Sequence, residues 1–316
     1  MASTEEQQDV GAVPDGSTIR RGSSRVAFLG LGIMGAPMAA SLAREGIEVV
    51  AWNRTAGKAE ALGAEHDNVT VAGTPAEAAA EAGAVITMVP DSPEVEEVLL
   101  GDGGAAEGLG HGGLAIDMST VSPSASRDIG RRLGERGIAF LDAPVTGSRP
   151  KAEDGTLTIM VGGAEDAYER ALPLFEAMGQ LVLHMGPQGH GSMVKLINNT
   201  LAAVNAAALA EGISVGRQAG LDLDKAMQVV ASGSGNSTMA AIKSGPMIEA
   251  DYAPLFKLEH MLKDVRYFLA ESREMGVQTG VADTAADLYE EAGAQGYGQS
   301  DFAAVIEAIV TISGLK

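Results

Sequence analysis

The sequence predicts an α/β domain built on a parallel sheet, followed by a domain made only of helices. Between residue 25 and about residue 185, short β-rich apolar runs alternate with helical stretches, which is typical of βαβ units. A proline-free stretch at 190–220 carries apolar residues at helical spacing and predicts one long helix, about 45 Å in length. No strand pattern interrupts the helices beyond it, so we expect the domain boundary near 186–189.

Each expected strand of the first domain is a short apolar or β-branched run between turn signals. The strands are expected at 25–30, 47–53, 69–72, 84–89, 114–118 and 138–143. Two more strand-like runs, TLTIMVGG and QLVLHMG, flank a helix expected at 165–178. In the second domain we expect helices near 223–231, 237–249, 257–275, 280–293 and 302–312.

An apolar stretch near the N-terminus resembles a signal sequence or a membrane span. Residues 26–43 carry no charge and follow three arginines. Three glycines and a proline in this stretch favour a tight turn over a spanning helix, and Arg44 follows directly. We therefore interpret it as the first strand and helix of the sheet. Residues 1–24 are polar and aperiodic, and we expect a disordered tail there.

Composition and charge restrict the class of partner. The 316 residues include 42 acidic and 22 basic side chains, so the formal net charge is -20. Nucleic acid and anionic membrane surfaces would be repelled, and neither is expected as a partner. The absence of cysteine excludes disulfides and thiolate zinc sites, and it fits a reducing, cytoplasmic location. We expect no metal site, because metal-ligand spacing is lacking among His66, His111, His184, His190 and His260.

A glycine-rich turn predicts a dinucleotide site. Gly30, Gly32 and Gly35 form GxGxxG directly after the first strand and at the start of a helix. Glycines at these positions permit a tight turn, close approach of a pyrophosphate to backbone amides and close helix packing. The alternative is a glycine-rich packing turn. The strand-turn-helix setting favours a Rossmann-type, doubly wound domain at 25–187 that binds a dinucleotide.

The end of the second strand indicates which dinucleotide is bound. An NAD site usually has an Asp or Glu there, which binds the ribose 2'-hydroxyl. In this chain the strand ends in Asn53, Arg54 and Thr55. A guanidinium with two neutral hydrogen-bonding neighbours suits a 2'-phosphate dianion. The sequence therefore predicts NADP (NADPH); the alternative is that Arg54 is a solvated residue at a helix start.

The long helix carries polar residues near its start. Lys195 and Asn199 are four residues apart in a segment that is otherwise mostly small and apolar, so on a helix they share one face. A desolvated lysine loses its proton readily and can act as an acid or a base near neutral pH. The alternative is a lysine whose ammonium reaches solvent. Spacing alone does not decide between the two.

Several motifs in order along the chain resemble those of the β-hydroxyacid dehydrogenase family. They are FLGLGIMGAPMA (28–39), DMST (117–120), DAPVTGSRPKAEDGTLTIMVGG (142–163), GPQGHGSMVKLINN (186–199) and the pair Lys263-Asp264. The resemblance runs from residue 25 to the end of the chain. The stretches AWNRT and GSRPKAEDGTL look most like those of the NADPH-using glyoxylate/succinic semialdehyde reductases in that family.

The resemblance implies roles for individual residues. Lys195 would be the catalytic acid/base. The substrate would be held by Thr120, Thr146, Gly147, Ser148 and Asn199. The cofactor would be contacted by Gly30, Leu31, Gly32, Ile33, Met34, Gly35, Asn53, Arg54, Thr55, Val89, Pro90, Thr120 and Lys263. Thr146 departs from the family, which commonly has serine at this position. Threonine keeps the hydroxyl that would bind the carboxylate, but because it adds a methyl group, the resemblance does not fix the size of the pocket.

The resemblance also implies an activity. It implies an NADPH-dependent oxidoreductase that reduces a small carboxylate-bearing aldehyde or semialdehyde, or in reverse oxidises a short or β-hydroxyacid such as 3-hydroxyisobutyrate. Two alternatives stay open: an imine reductase, although these enzymes typically lack a lysine at the position of Lys195, and a non-catalytic module that only binds NADP. A homodimer or homotetramer built through the helical domain at 188–316 is implied as well.

Overall fold

A computed structural model describes residues 25–315 of the chain. The tail expected at 1–24 lies outside these residues. The apolar stretch at 26–43 forms the first strand and most of the first helix of the sheet domain, as expected, and most of its side chains are buried there. The predicted doubly wound sheet followed by a helical domain is confirmed.

Nine strands within residues 25–315 form one sheet. They are β1 (Arg25–Leu29), β2 (Glu48–Trp52), β3 (Val69–Val71), β4 (Ala84–Thr87), β5 (Leu114–Asp117), β6 (Ala139–Asp142), β7 (Val145–Thr146), β8 (Leu157–Gly162) and β9 (Gly179–Gly186). The order is β3-β2-β1-β4-β5-β6-β8-β7, with β9 paired to β8. The first six strands are parallel in the order typical of dinucleotide-binding sheets. The strand β8 runs antiparallel to β6 and β7.

Helices cover both faces of this sheet. They are α1 (Gly35–Arg44), α2 (Gly57–Glu65), α3 (Pro75–Ala79), α4 (Ser92–Leu100), α5 (Ala105–Leu109), α6 (Pro123–Gly134), α7 (Ser148–Glu153) and α8 (Glu165–Met178). Side-chain oxygens of Thr74, Asp91 and Ser122 accept hydrogen bonds from backbone amides at the starts of α3, α4 and α6. Along β1, Val26 and Phe28 pack into the core on one face of the sheet, and Ala27 and Leu29 pack into the core on the other face.

The helical domain is built around the predicted long helix. It contains α9 (His190–Gln218), α10 (Leu223–Ser232), α11 (Thr238–Glu249), α12 (Leu258–Glu274), α13 (Gly280–Ala294), the 3-10 turns Tyr297–Gln299 and Phe302–Ala304, and α14 (Val305–Ile312). The inner face of α9 is rich in alanine, which lets the other helices approach closely. In the described part of the chain, α9 is the one helix long and apolar enough to span a membrane, a test that core helices of soluble proteins also pass.

The sheet holds the start of α9 through Asp142, the last residue of β6. Its Oδ1 accepts hydrogen bonds from Gly189 N at 2.8 Å and from Gln188 Nε2 at 2.7 Å. Its Oδ2 accepts one from Ser192 N at 2.6 Å. Burial raises the pKa of Asp142, but these donors stabilise the carboxylate at the positive end of the helix. A side chain of the first domain thereby caps the first helix of the second.

Candidate active site

The glycine turn after β1 has the geometry that a pyrophosphate requires. Gly30 has a φ of +102°, and a Cβ there would lie 2.3 Å from Met88 O. A Cβ on Gly35 would lie 1.9 Å from Gly30 O, so the start of α1 packs directly on the turn. Gly32 faces open space, and within residues 25–315 the amides of Gly32 and the next two residues, Ile33 and Met34, donate no hydrogen bond. Free amides at a helix N-terminus fit a bound phosphate.

The side chain of Asn53 bonds to the glycine turn. Its Oδ1 accepts a hydrogen bond from Leu31 N at 2.8 Å, and its Nδ2 donates to Thr55 O at 3.0 Å. The side chain therefore braces the glycine turn from the end of β2. Arg54 and Thr55 are exposed at the same strand end, so their side chains are accessible to a ligand there.

Hydrogen bonds join the loop after β4 to the loop after β5. Asp117 Oδ1 accepts hydrogen bonds from Thr87 Oγ1 at 2.8 Å and from Ser119 N at 3.1 Å. Ser119 Oγ in turn accepts one from Val89 N at 2.9 Å. Burial raises the pKa of Asp117 to about 6, and hydrogen bonds from Ser119 and Thr87 offset part of the rise. This network fixes the backbone beside Val89 and Thr120. It was not predicted from the sequence, although an acidic residue at the end of a central strand is a signal that could have indicated it.

Lys195 is buried on α9, with 9% of its surface exposed. Burial lowers the pKa of Lys195 to about 8; the nearby Asp264 carboxylate counteracts this, and the Lys263 ammonium adds to it. The side chain of Lys195 forms no hydrogen bond or ion pair with any residue in the range 25–315. A lysine side chain this deeply desolvated is costly to keep charged, which favours the acid/base interpretation over that of a solvated surface lysine.

Asp264 connects the other polar side chains near Lys195. Its Oδ2 accepts a hydrogen bond from Asn199 Nδ2 at 2.6 Å, and its Oδ1 lies 3.1 Å from Lys263 Nζ. Lys263 Nζ also donates to Thr120 O at 2.6 Å. The amide oxygen of Asn199 accepts from Asn198 Nδ2 at 3.1 Å. Since Asn199 Nδ2 donates one hydrogen to Asp264 and none to another residue within 25–315, its second hydrogen remains for a ligand. Asp264 is fully buried, and the sequence interpretation had given it no role beyond the family match.

The segment expected to bind the substrate carboxylate follows β7. Gly147 has a φ of +140° and Ser148, which is not glycine, has a φ of +58°. A non-glycine residue in the left-handed region carries strain that is retained mainly at functional sites. Thr146 is half-buried and pairs with Thr158 of β8. No hydrogen bond among residues 25–315 joins Thr146, Gly147 or Ser148 to Lys195 or Asn199.

Contacts thus join Asn199, Asp264, Lys263 and Thr120 where the two domains meet. Lys195 lies close enough for the charges of Asp264 and Lys263 to shift its pKa. Arg54 follows the end of β2, the strand that lies next to β1 and its glycine turn in the sheet. A Rossmann-type sheet with a glycine turn suited to a phosphate, together with a buried lysine from a second domain, is typical of nicotinamide-dependent oxidoreductases.

Comparisons with known proteins identify the family. Residues 25–186 match the NAD binding domain of 6-phosphogluconate dehydrogenase, and residues 189–309 match the NAD-binding domain of NADP-dependent 3-hydroxyisobutyrate dehydrogenase. The chain belongs to the β-hydroxyacid dehydrogenase family. It is an oxidoreductase of hydroxyacids that uses a nicotinamide cofactor.

Curated relatives and solved structures agree with this. The chain is 35% identical over 291 residues to glyoxylate/succinic semialdehyde reductase 2 of Arabidopsis thaliana, covering 91% of this chain and 80% of the relative. It is 34% identical to 2-hydroxy-3-oxopropionate reductase of Escherichia coli, covering 92% and 99%. The crystal structure of 3-hydroxyisobutyrate dehydrogenase from Salmonella typhimurium superposes with a TM-score of 0.82 at 30% identity, covering 90% and 99%.

Proposed function

We propose that the protein is an NADPH-dependent reductase of small carboxylate-bearing aldehydes, such as glyoxylate or a semialdehyde, with Lys195 as the general acid. In reverse it would oxidise the matching short or β-hydroxyacid. The observation that carries the proposal is the buried, unpartnered Lys195 amine beside Lys263 and Asp264. Relatives whose names specify glyoxylate, succinic semialdehyde and 2-hydroxy-3-oxopropionate support the substrate class.

The proposed reaction needs a hydride donor, a proton donor and groups that orient the substrate. A bound nicotinamide would supply the hydride. Lys195, when protonated, donates its proton to the substrate oxygen on which negative charge develops. Asn199 and Asp264 hold the side chains around Lys195, and the strained segment at 146–148 would fix the substrate carboxylate so that its carbonyl is oriented. In the reverse direction, neutral Lys195 would accept the hydroxyl proton.

A substrate screen tests the proposal directly. NADPH oxidation would be followed with glyoxylate, succinic semialdehyde, tartronate semialdehyde and methylmalonate semialdehyde. A cyclic imine serves as the control, because imine reductases share the fold. We expect turnover with at least one of the four aldehydes and none with the imine. Turnover with the imine alone would favour the imine reductase alternative, and cofactor binding without turnover of any compound would favour the binding module.

The preference for NADP rests on Arg54, and its removal gives the first prediction. We expect Arg54→Ala to weaken NADPH binding about 10- to 100-fold, because a charge-assisted contact with the 2'-phosphate is lost, and to leave NADH binding within about twofold. Both dissociation constants can be measured by cofactor fluorescence. Arg136→Ala, at the exposed end of α6, makes the same change in net charge and should alter neither constant. Equal affinities of the unmutated protein for NADPH and NADH would contradict the preference.

The pH dependence of the two directions gives the second prediction. Burial lowers the pKa of Lys195 to about 8, so its protonated fraction falls as the pH rises through this value. We expect kcat/KM for reduction to be high below about pH 8 and to fall above it, and kcat/KM for oxidation to rise over the same range. Rates measured between about pH 6 and about pH 10 check this. A fall in both directions with rising pH would be inconsistent with a single lysine as acid and base.

We further propose assembly into a homodimer or homotetramer through the helical domain. Leu201 and Val215 are 59% and 69% exposed and lie fourteen residues apart, on one side of α9. Such an apolar helix face is typical of a subunit interface. Light scattering after gel filtration measures the mass in solution, and a monomer at micromolar concentration would contradict the assembly.

A further inference from the structure

Three residues of α12 face the first domain at intervals of four: Lys263, Tyr267 and Glu271. Residues spaced by four line one side of a helix, and each of these three side chains bonds to the sheet domain. We call them the α12 stripe. Lys263 was expected from the sequence to contact the cofactor, whereas Tyr267 and Glu271 lie outside every motif that supported the family resemblance.

Tyr267 binds the loop after β4. Its hydroxyl donates a hydrogen bond to Asp91 Oδ1, and Ser92 Oγ lies 3.4 Å from the same hydroxyl. The Asp91 carboxylate also accepts from Ser92 N at 2.6 Å, where it caps α4. Burial, together with the Asp91 carboxylate, raises the pKa of Tyr267 to about 12, so the hydroxyl remains a donor at physiological pH. Asp91 directly follows Val89 and Pro90, the residues expected to line the nicotinamide pocket.

Glu271 binds the start of α6, which follows the loop after β5. Its Oε1 accepts a hydrogen bond from Ser124 N at 2.8 Å, and its Oε2 pairs with Arg127 Nη2 at 3.1 Å. The side chain of Glu271 is buried, whereas that of Arg127 is half exposed. Ser124 stands in the first turn of α6, four residues beyond Thr120, whose carbonyl accepts the hydrogen bond from Lys263.

The α12 stripe therefore holds both loops that flank the expected position of the nicotinamide. The same helix carries Asp264, which is hydrogen-bonded to Asn199 one turn away from Lys195. The two loops belong to the sheet domain, and α12 and α9 belong to the helical domain. The relative position of the bound nicotinamide and Lys195 thus depends on the bonds that cross from α12 to the sheet domain, together with those between Asp142 and the start of α9.

We propose that Tyr267 and Glu271 are positioning residues, which hold the helical domain at the distance and angle from the nicotinamide half of the cofactor that hydride transfer requires. The inference rests on the proposed function. Neither residue needs to touch cofactor or substrate, because Tyr267 acts through Asp91 and Glu271 acts through Ser124. Hydride and proton transfer tolerate displacements of only a fraction of an ångström, so loss of one bond would lower the rate without emptying the cofactor site.

The test uses two conservative variants and two matched controls in the full-length protein. Tyr267→Phe removes one hydroxyl and keeps the ring, which lies 5.1 Å from Lys263 Nζ. Glu271→Gln removes one charge. Tyr289→Phe is the matched control for the first, because that hydroxyl bonds to Ala203 O inside the helical domain. Glu290→Gln is the control for the second, because Glu290 pairs with Arg266 on the surface of the same domain.

Four measured quantities distinguish a positioning role from a merely structural one. They are kcat, the primary isotope effect with NADPH deuterated at the transferred position, and the dissociation constants of NADPH and of 2'-phospho-ADP-ribose, which lacks the nicotinamide. For Tyr267→Phe and Glu271→Gln we expect kcat to fall about three- to tenfold and the isotope effect to rise. We expect weaker binding of NADPH but unchanged binding of the fragment. The controls should change thermal stability alone.

Each outcome is decisive. An unchanged isotope effect, or equal weakening of NADPH and the nicotinamide-free fragment, would overturn the positioning role, since either result means that the stripe only stabilises the fold. If the unmutated protein turned over no aldehyde, the proposed function would fail. The inference would then be judged on the two dissociation constants alone, and selective weakening of NADPH would still support it.

Discussion

Lys195→Ala is expected to lower turnover about a thousandfold, because a general acid that meets the developing negative charge contributes about 10²- to 10⁴-fold. Binding of NADPH should change by less than about twofold, since the phosphate turn, Asn53 and Arg54 lie on the sheet domain. The variant also removes a buried amine that has no partner within residues 25–315. The fold should therefore lose little from the missing charge.

Two further measurements make this prediction specific to the proton. Lys195→Met fills most of the volume of the side chain without supplying a proton, and it should be as slow as Lys195→Ala. Added methylamine should partly restore the rate of Lys195→Ala, where it has room to enter, and should not restore that of Lys195→Met. Turnover of either variant close to the unmutated rate would refute the assignment of Lys195 as acid/base.

Lys243→Met is expected to lower the free energy of unfolding by about 3–5 kcal/mol, because it leaves a buried carboxylate without its cation. Lys243 Nζ lies 2.6 Å from Asp301 Oδ1, and both side chains are almost completely buried. The other oxygen of Asp301 accepts hydrogen bonds from Leu255 N at 3.0 Å and Phe256 N at 3.2 Å. The pair therefore fixes the segment that leads into α12.

Unfolding in urea, followed by circular dichroism, measures this loss. Lys225→Met is the matched control, because Lys225 lies 2.9 Å from Asp222 in an ion pair whose lysine is 80% exposed. Its loss should cost less than about 1 kcal/mol. The double variant Lys243→Met/Asp301→Asn should recover part of the stability, since no buried charge is left unpaired. Similar losses for Lys243→Met and Lys225→Met would contradict the importance of the buried pair.

The regular part of the fold could be predicted because its determinants are local. Short apolar runs and the glycine turn predicted β1 to β6, and helical spacing predicted α9 and the helices after it. The two-residue strand β7 was not predicted, because it consists of a pairing with β8 rather than a sequence pattern. The predicted helix at 302–312 begins as a 3-10 turn at Phe302–Ala304, where Asp301 bonds to Ala303 N.

The candidate site could be predicted only in part. Lys195 and Asn199 were indicated by their spacing and by the family resemblance, and the glycine turn by its motif. The contact of Tyr267 with Asp91 spans 176 residues of sequence, so no local pattern contains it. Asn53 was expected to contact the cofactor. The hydrogen bond that its side chain accepts from Leu31 N was not predicted, because it depends on the position of that amide in the folded turn. Contacts of this kind are decided by tertiary structure.

The bond between Asp142 and the first turn of α9 limits how this protein can be recombined with its relatives. The Asp142 carboxylate belongs to the sheet half, while its three donors lie at 188–192. A chimera joined between Gly186 and Gly189 would place a foreign helix start over a buried acid. Joining the parents after Ser192 keeps the acid and all three donors from one parent, so that crossover point is the one most compatible with a folded hybrid.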